Sequence, residues 1–71
     1  LALDFELLTS GKLEVMILDA EGRIIRRLKN AEVGASQQYL TYNITGLSAG
    51  NYHVLIALDG LPNSYPFIKI D

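Results

Sequence analysis

The sequence has no cysteine, a single histidine, and no apolar run long enough to cross a bilayer. Without cysteine there is neither a disulfide framework nor a thiolate metal ligand. Zinc sites usually draw on several His or Cys ligands, and His53 alone does not compose one. A membrane-spanning helix needs roughly 18 consecutive apolar residues, and none occur. The start, Leu1-Ala2-Leu3-Asp4, has no basic stretch followed by an apolar one, so it does not read as a signal peptide. It also lacks Met, which leads us to expect a processed product or a piece of a longer protein. Charge of one sign is scarce. Six basic and eight acidic side chains leave a net charge of −2, which argues against bulk attraction to nucleic acid or anionic lipid.

What the chain does have is apolar side chains. Hydrophobic residues make up 49% and charged residues 20% of its 71 positions, a balance that specifies a packed core rather than disorder. A chain this short buries only ~60% of the surface its unfolded form exposes. It has no room for a second domain or a deep cleft, so residues 1–71 read as one domain.

The hydrophobic pattern has period two almost throughout. Leu3, Phe5 and Leu7 alternate with Asp4 and Glu6, and after Ser10-Gly11 the alternation resumes with Leu13, Val15 and Ile17. Asp19-Ala20-Glu21-Gly22 is a four-residue connection in which Gly22 can take positive φ and close a type I turn with a bulge. Arg23 to Leu28 is the next strand candidate. Its alternation is imperfect at Ile24-Ile25 and Arg26-Arg27, as a bulge or an edge position would explain. The polar segment from Lys29 to Gln38, with Gly34 and Ser36 inside it, reads as a crossing loop that could hold a short edge strand. A helix over 31–39 is the weaker alternative. Leu40, Tyr42 and Ile44 restart the alternation, and 45–50 is a turn region. Tyr52, Val54, Ile56 and Leu58 form the clearest strand. Asp59-Gly60 with Leu61-Pro62-Asn63-Ser64 reads as another turn. Tyr65 to Ile70 is the last strand, which Pro66 assigns to an edge. Six or seven short strands with turns between them predict a small immunoglobulin-like antiparallel β-sandwich.

Candidate chemistry is sparse. Hydrolysis needs a nucleophile with a base, or two poised carboxylates. The acidic residues are scattered singly at turns and on polar strand faces, and the serines have only His53 as an imidazole partner. His53 alternates with Tyr52 and Val54 and should face outward. Asp19 and Asp59 lie in no dense oxygen-rich loop of the kind calcium wants and read as turn formers. Asn43-Ile44-Thr45 matches a glycosylation sequon, yet Ile44 reads as core, which favours a strand position there. Arg23, Arg26, Arg27 and Lys29 hold four of the six positive charges within seven residues. That cluster reads as edge protection or as a contact stripe for an anionic partner. It lacks the interleaved aromatics that base stacking would need. We expect no enzyme, no cofactor and no metal site.

The turn Leu47-Ser48-Ala49-Gly50-Asn51-Tyr52 is more specific. In sandwich domains a Tyr at the start of a late strand can bend back over the preceding corner, its hydroxyl on a backbone group and its ring in the core. We therefore expect Tyr52 to be largely buried, with its hydroxyl bonded to backbone near residues 45–50 and Leu47 plugging the end of the core. Met16, Leu18, Leu55 and Ala57 point opposite to the core positions of their strands. If those strands are neighbours, the four side chains form an apolar patch, a candidate partner surface.

Together these pieces resemble the C-terminal sorting domain of the type IX secretion system of Bacteroidota-type Gram-negative bacteria. Gly11-Lys12-Leu13-Glu14-Val15-Met16-Ile17-Leu18-Asp19-Ala20-Glu21-Gly22-Arg23 looks like that family's strand followed by its Asp-x-x-Gly-Arg turn. Gly34 falls where the family often has a loop glycine. Leu47-Ser48-Ala49-Gly50-Asn51-Tyr52 looks like its Leu-x-x-Gly-x-Tyr motif, and Phe67-Ile68-Lys69-Ile70 like its closing strand. The family usually closes with basic residues, whereas this chain closes with Ile70-Asp71. The resemblance spans about the whole chain and implies a delivery role at the C-terminal end of a longer secreted protein. Such a domain passes through the periplasm and is recognised, folded, by an outer-membrane translocon. In many members a sortase-like cysteine peptidase then removes it and attaches the cargo domain to lipopolysaccharide at the cell surface. The resemblance makes Gly50, Tyr52 and Lys69 the recognition positions, with Asp19, Gly22 and Arg23 shaping the hairpin. The alternative is an immunoglobulin- or fibronectin-like accessory domain, a spacer within a surface protein or secreted hydrolase.

Overall fold

The structure is a computed structural model and describes residues 1–70. Among these residues the secondary structure is all β. Its six strands are β1 (Ala2–Glu6), β2 (Gly11–Asp19), β3 (Ile24–Val33), β4 (Gln37–Thr41), β5 (Gly50–Leu58) and β6 (Leu61–Lys69). Every pairing is antiparallel. Strands β3-β2-β5-β6 form one sheet in that order, and β1-β4 form a smaller one. The two pack face to face as a small β-sandwich, as the alternation predicts, and no helix forms over 31–39.

The core lies between the sheets. From the larger sheet come Leu13, Val15 and Ile17, fully buried, with Val54 and Tyr52 beside them. From the smaller sheet Leu1, Leu3, Phe5, Leu7 and Leu40 pack against them. Ile44 and Leu47, on the segment leading into β5, close the end around Ile17 and Tyr52. The alternation causes this directly. Successive side chains point to opposite faces, so the odd-numbered residues of β1 turn inward while Ala2, Asp4 and Glu6 stay exposed. Tyr42 continues the inward row. Its hydroxyl donates to the Leu28 carbonyl at 3.3 Å, and burial pushes its phenol pKa up.

Three expectations are corrected. First, Lys29 to Val33 is strand rather than loop. β3 runs ten residues and only 34–36 connect it to β4. As an edge strand it needs no apolar alternation on both faces, and its pairing with β2 shifts register between Val15 and Met16 and between Ile17 and Leu18. The slipped residues, Leu28 and Ile25, account for the broken pattern. Secondly, Leu61 to Ser64 belongs to β6, paired through to Leu58↔Leu61. The turn is Asp59-Gly60 alone, with φ of 51° and 81°, the two positive values a type I′ hairpin requires. Such a loop makes Leu58↔Leu61 a hydrogen-bonded pair, and alternation then places Pro62 and Pro66 at non-hydrogen-bonded positions, where the missing N–H faces away from β5. Thirdly, Asn43-Ile44-Thr45 lies outside any strand. The Asn43 side-chain oxygen accepts from the Thr45 backbone N–H and hydroxyl at 2.9 and 2.8 Å, while Ile44 still packs into the core.

Candidate functional site

The hairpin between β2 and β3 is built by one carboxylate. Gly22 N–H donates to the Asp19 carbonyl at 3.0 Å, and Asp19 N–H donates to the Arg23 carbonyl at 2.9 Å. Gly22 has φ 85° and is the only residue of the turn with positive φ, as in a type I turn closed by a glycine bulge. Asp19 Oδ1 accepts from the backbone N–H groups of Glu21 and Arg23, both at 2.9 Å. Asp19 Oδ2 accepts from Arg23 Nε at 2.7 Å. Glu21 Oε2 reaches Nη2 of the same guanidinium at 2.6 Å. The Arg23 backbone N–H does most to hold the Asp19 carboxyl below its ordinary pKa. Partial desolvation opposes it, and the Arg23 side chain and the Glu21 N–H add to it. The Arg23 side chain itself is 74% exposed, so the turn presents a fixed guanidinium to solvent.

The corner before β5 is equally defined. Tyr52 is buried, and its hydroxyl donates to the Ser48 carbonyl at 2.5 Å. Its ring stacks on Phe67 with centroids 5.5 Å apart and planes 22° apart. Leu47 is buried beside it, its N–H bonded to the Ile44 carbonyl at 3.0 Å. This is the corner the sequence predicts, with the hydroxyl on Ser48.

Register gathers these pieces. Asp19, Tyr52 and Phe67 stand in one cross-strand row, and Gly50 faces Lys69 two residues further on. Asp19, Gly22, Arg23, Gly50, Tyr52 and Lys69 come from three separated segments, yet all sit at one end of the larger sheet.

The outer face of the same sheet carries the apolar residues singled out by alternation. β2 and β5 are neighbours, and Met16 faces Leu55 across the pair. The patch is less open than its composition suggests. Met16 and Ala57 are buried, and Leu18 and Leu55 are half-buried. The Arg27 guanidinium lies 3.5 Å from the Met16 sulfur and shields it. The accessible apolar surface lies closer to the Asp19 end. There Leu18, His53 and Pro66 form a row, and Ile68 pairs with Asn51. Asn51, His53, Pro66 and Ile68 line an open hollow of about 540 Å³. Ile24, opposite Leu18, and Ile68 are 47% and 69% exposed. Sequence reasoning missed Ile24, Pro66 and Ile68. Parity along β6 would have placed Pro66 and Ile68 once the Asp59-Gly60 turn was known to be two residues long.

The basic cluster is divided by β3. Arg27 lies on the outer face opposite Met16, whereas Arg26 and Lys29 pair with the inward residues Ile17 and Val15. The Arg26 guanidinium lies over Gly46, 2.7 Å from where a Cβ on that residue would stand. Among the described residues no cluster of three or more His, Cys, Asp or Glu is placed to hold a metal ion, and no helix is long and apolar enough to cross a membrane. No protein-family model matches the chain, and comparisons with curated proteins and with solved structures return no match.

Proposed function

We propose that the domain is a non-catalytic sorting module that directs an attached cargo protein across the outer membrane by the type IX secretion system. The observation that supports this most is the gathering of the Asp19–Arg23 turn, the Gly50–Tyr52 corner and Lys69 at one end of one sheet. A receptor that must recognise a folded passenger needs a rigid exposed constellation rather than a pocket. Here rigidity comes from the Asp19 carboxylate and the Tyr52 hydroxyl, each fastened to backbone. Recognition is assigned to the Arg23 guanidinium, the Gly50–Lys69 pair and the apolar rim around Leu18 and Ile68. The partners in this reading are the outer-membrane translocon and its sortase-like peptidase, met in the periplasm, and the cargo domain ahead of Leu1.

The runner-up is an immunoglobulin- or fibronectin-like spacer, favoured by the same outer face, since Leu18, Leu55 and Ile68 would also fit against a neighbouring domain. Fusing residues 1–71 behind a periplasmic reporter, in a bacterium that has the secretion system, separates the two. Reporter at the cell surface supports sorting. Reporter retained in the periplasm of the same strain refutes it in favour of the spacer.

A further inference from the structure

The two sheets of the sandwich are unequal, and among the described residues part of the larger one is left uncovered. Leu61, Asn63 and Tyr65 of β6 pair with Leu58, Ile56 and Val54, so they point to the inner face. Yet Leu61 is 74% and Tyr65 53% exposed. Over them lies an opening formed by two adjoining hollows of about 340 and 290 Å³, which share Phe5, Ile56 and Tyr65 as their floor. Its long wall is β1. Leu1 exchanges both backbone hydrogen bonds with Tyr42, and Leu7 exchanges both with Ser36. The odd-numbered residues of β1 therefore bond to β4. Alternation directs the N–H and C=O groups of Ala2, Asp4 and Glu6 away from β4, along the opening.

We propose that this opening is a strand-docking groove that takes one extended segment of a partner protein, alternating apolar and basic residues. A strand added beside β1 would lie ~4.8 Å from it and ~10 Å above the opposite sheet, over Ile56 and Tyr65. One set of its side chains covers that apolar floor. The other set stands beside Asp4 and Glu6, the exposed outward residues of β1, where Lys or Arg is the complement. The same charges argue against a second copy of this chain, because antiparallel pairing of two β1 edges sets Asp4 and Glu6 against each other, and like charges directly opposite are destabilising. The outer edges of the larger sheet are poorer templates. β6 lacks outward N–H groups at Pro62 and Pro66, and β3 is bulged and basic. The mode is β-strand addition, with backbone bonds supplying affinity and alternate side chains supplying specificity. It holds for either reading of the domain's function.

The test uses the full chain and two synthetic peptides of about seven residues, one alternating valine with lysine, the other with the same composition in two blocks. Titration is followed by amide NMR and hydrogen exchange. The expected result is saturable binding of the alternating peptide, slowed exchange at Ala2, Asp4 and Glu6, and shifts at Tyr65, with the block peptide at least about tenfold weaker. Asp4→Pro removes one outward backbone donor and no backbone bond to β4, together with the carboxylate that accepts from the Gln37 side chain, and should weaken binding about five- to tenfold. If that variant does not fold, Tyr65→Ser, on an exposed side chain, should weaken binding in its place. No saturable binding, equal binding of the block peptide, or protection at β4 or β6 instead would overturn the proposal. So would undiminished binding to a folded variant, or a dimer of the unliganded chain with β1 amides protected.

Discussion

The Tyr52 hydroxyl lies 2.5 Å from the Ser48 carbonyl, four residues earlier in the chain. That bond turns the approach to β5 into a closed corner, and with the Tyr52–Phe67 stack it ties the corner to the last strand. Tyr52→Phe keeps the ring and deletes the hydrogen bond, leaving the Ser48 carbonyl to find water. It should cost about 1 kcal/mol. Tyr52→Ala also removes the buried ring and should cost about 3–5 kcal/mol. Urea unfolding midpoints of the two variants check the order. A Phe variant as unstable as the Ala variant would contradict it.

Two glycines make an internal comparison. A Cβ at Gly22 or at Gly34 would meet nothing within 4 Å, but only Gly22 has positive φ, at 85°. Gly22→Ala should therefore destabilise by about 1 kcal/mol or more, whereas Gly34→Ala should stay within about 0.5 kcal/mol. Thermal unfolding of both variants under one buffer measures the difference, which is conformational and owes nothing to packing.

The Asp19 carboxyl is held below its ordinary value by the Arg23 backbone N–H first. A lowered folded pKa means that the unfolded chain binds the proton more tightly. The stabilisation is thus present above the ordinary aspartate range, near pH ~4, and is lost as pH falls through the lower folded value. In Asp19→Asn this acid-limb dependence should shrink. Unfolding midpoints of the two proteins measured between neutral and acidic pH should converge as the pH drops. Parallel curves would show that Asp19 does not contribute.

Pro62 and Pro66 sit on the free edge of β6, and neither gives that edge a donor. Replacing both with Thr restores two outward N–H groups beside exposed Leu61 and Ile68. Such an edge is a template for pairing with another chain. Sedimentation of the double variant should show concentration-dependent association that the parent chain lacks, and a monomeric variant would remove the protective role from the prolines.

Much of this architecture is legible in the residues themselves. Leu3, Phe5 and Leu7, then Leu13, Val15 and Ile17, declare their inner faces by alternation alone, and Gly22 and Tyr52 declare their turn and corner by chemistry. The illegible parts share a cause. Lys29, half-buried, and Asn30 and Glu32, exposed, lie on an edge strand that gives the core little beyond Leu28 and Val33, so no sustained apolar period marks it and β3 reads as loop. Pro62, Asn63 and Ser64 are turn formers by propensity, but pairing with Ala57, Ile56 and Leu55 overrides it. With that hairpin misplaced, the register that brings Pro66 and Ile68 to Leu18 and His53 is out of reach. The open half of the inner face depends on strand count per sheet, which alternation does not encode.

The recognition assigned to the Asp19–Lys69 end can be separated from folding by carrying two charge reversals, Arg23→Glu on an exposed side chain and Lys69→Glu on a half-buried one, in the reporter fusion. The decisive quantity is the fraction of reporter at the cell surface, taken together with the unfolding midpoint of the isolated domain. Surface display of the parent fusion, and periplasmic retention of a double variant that still folds, is the outcome expected of a recognition end. Equal display of both fusions would show that this end of the sheet is not what the secretion machinery reads.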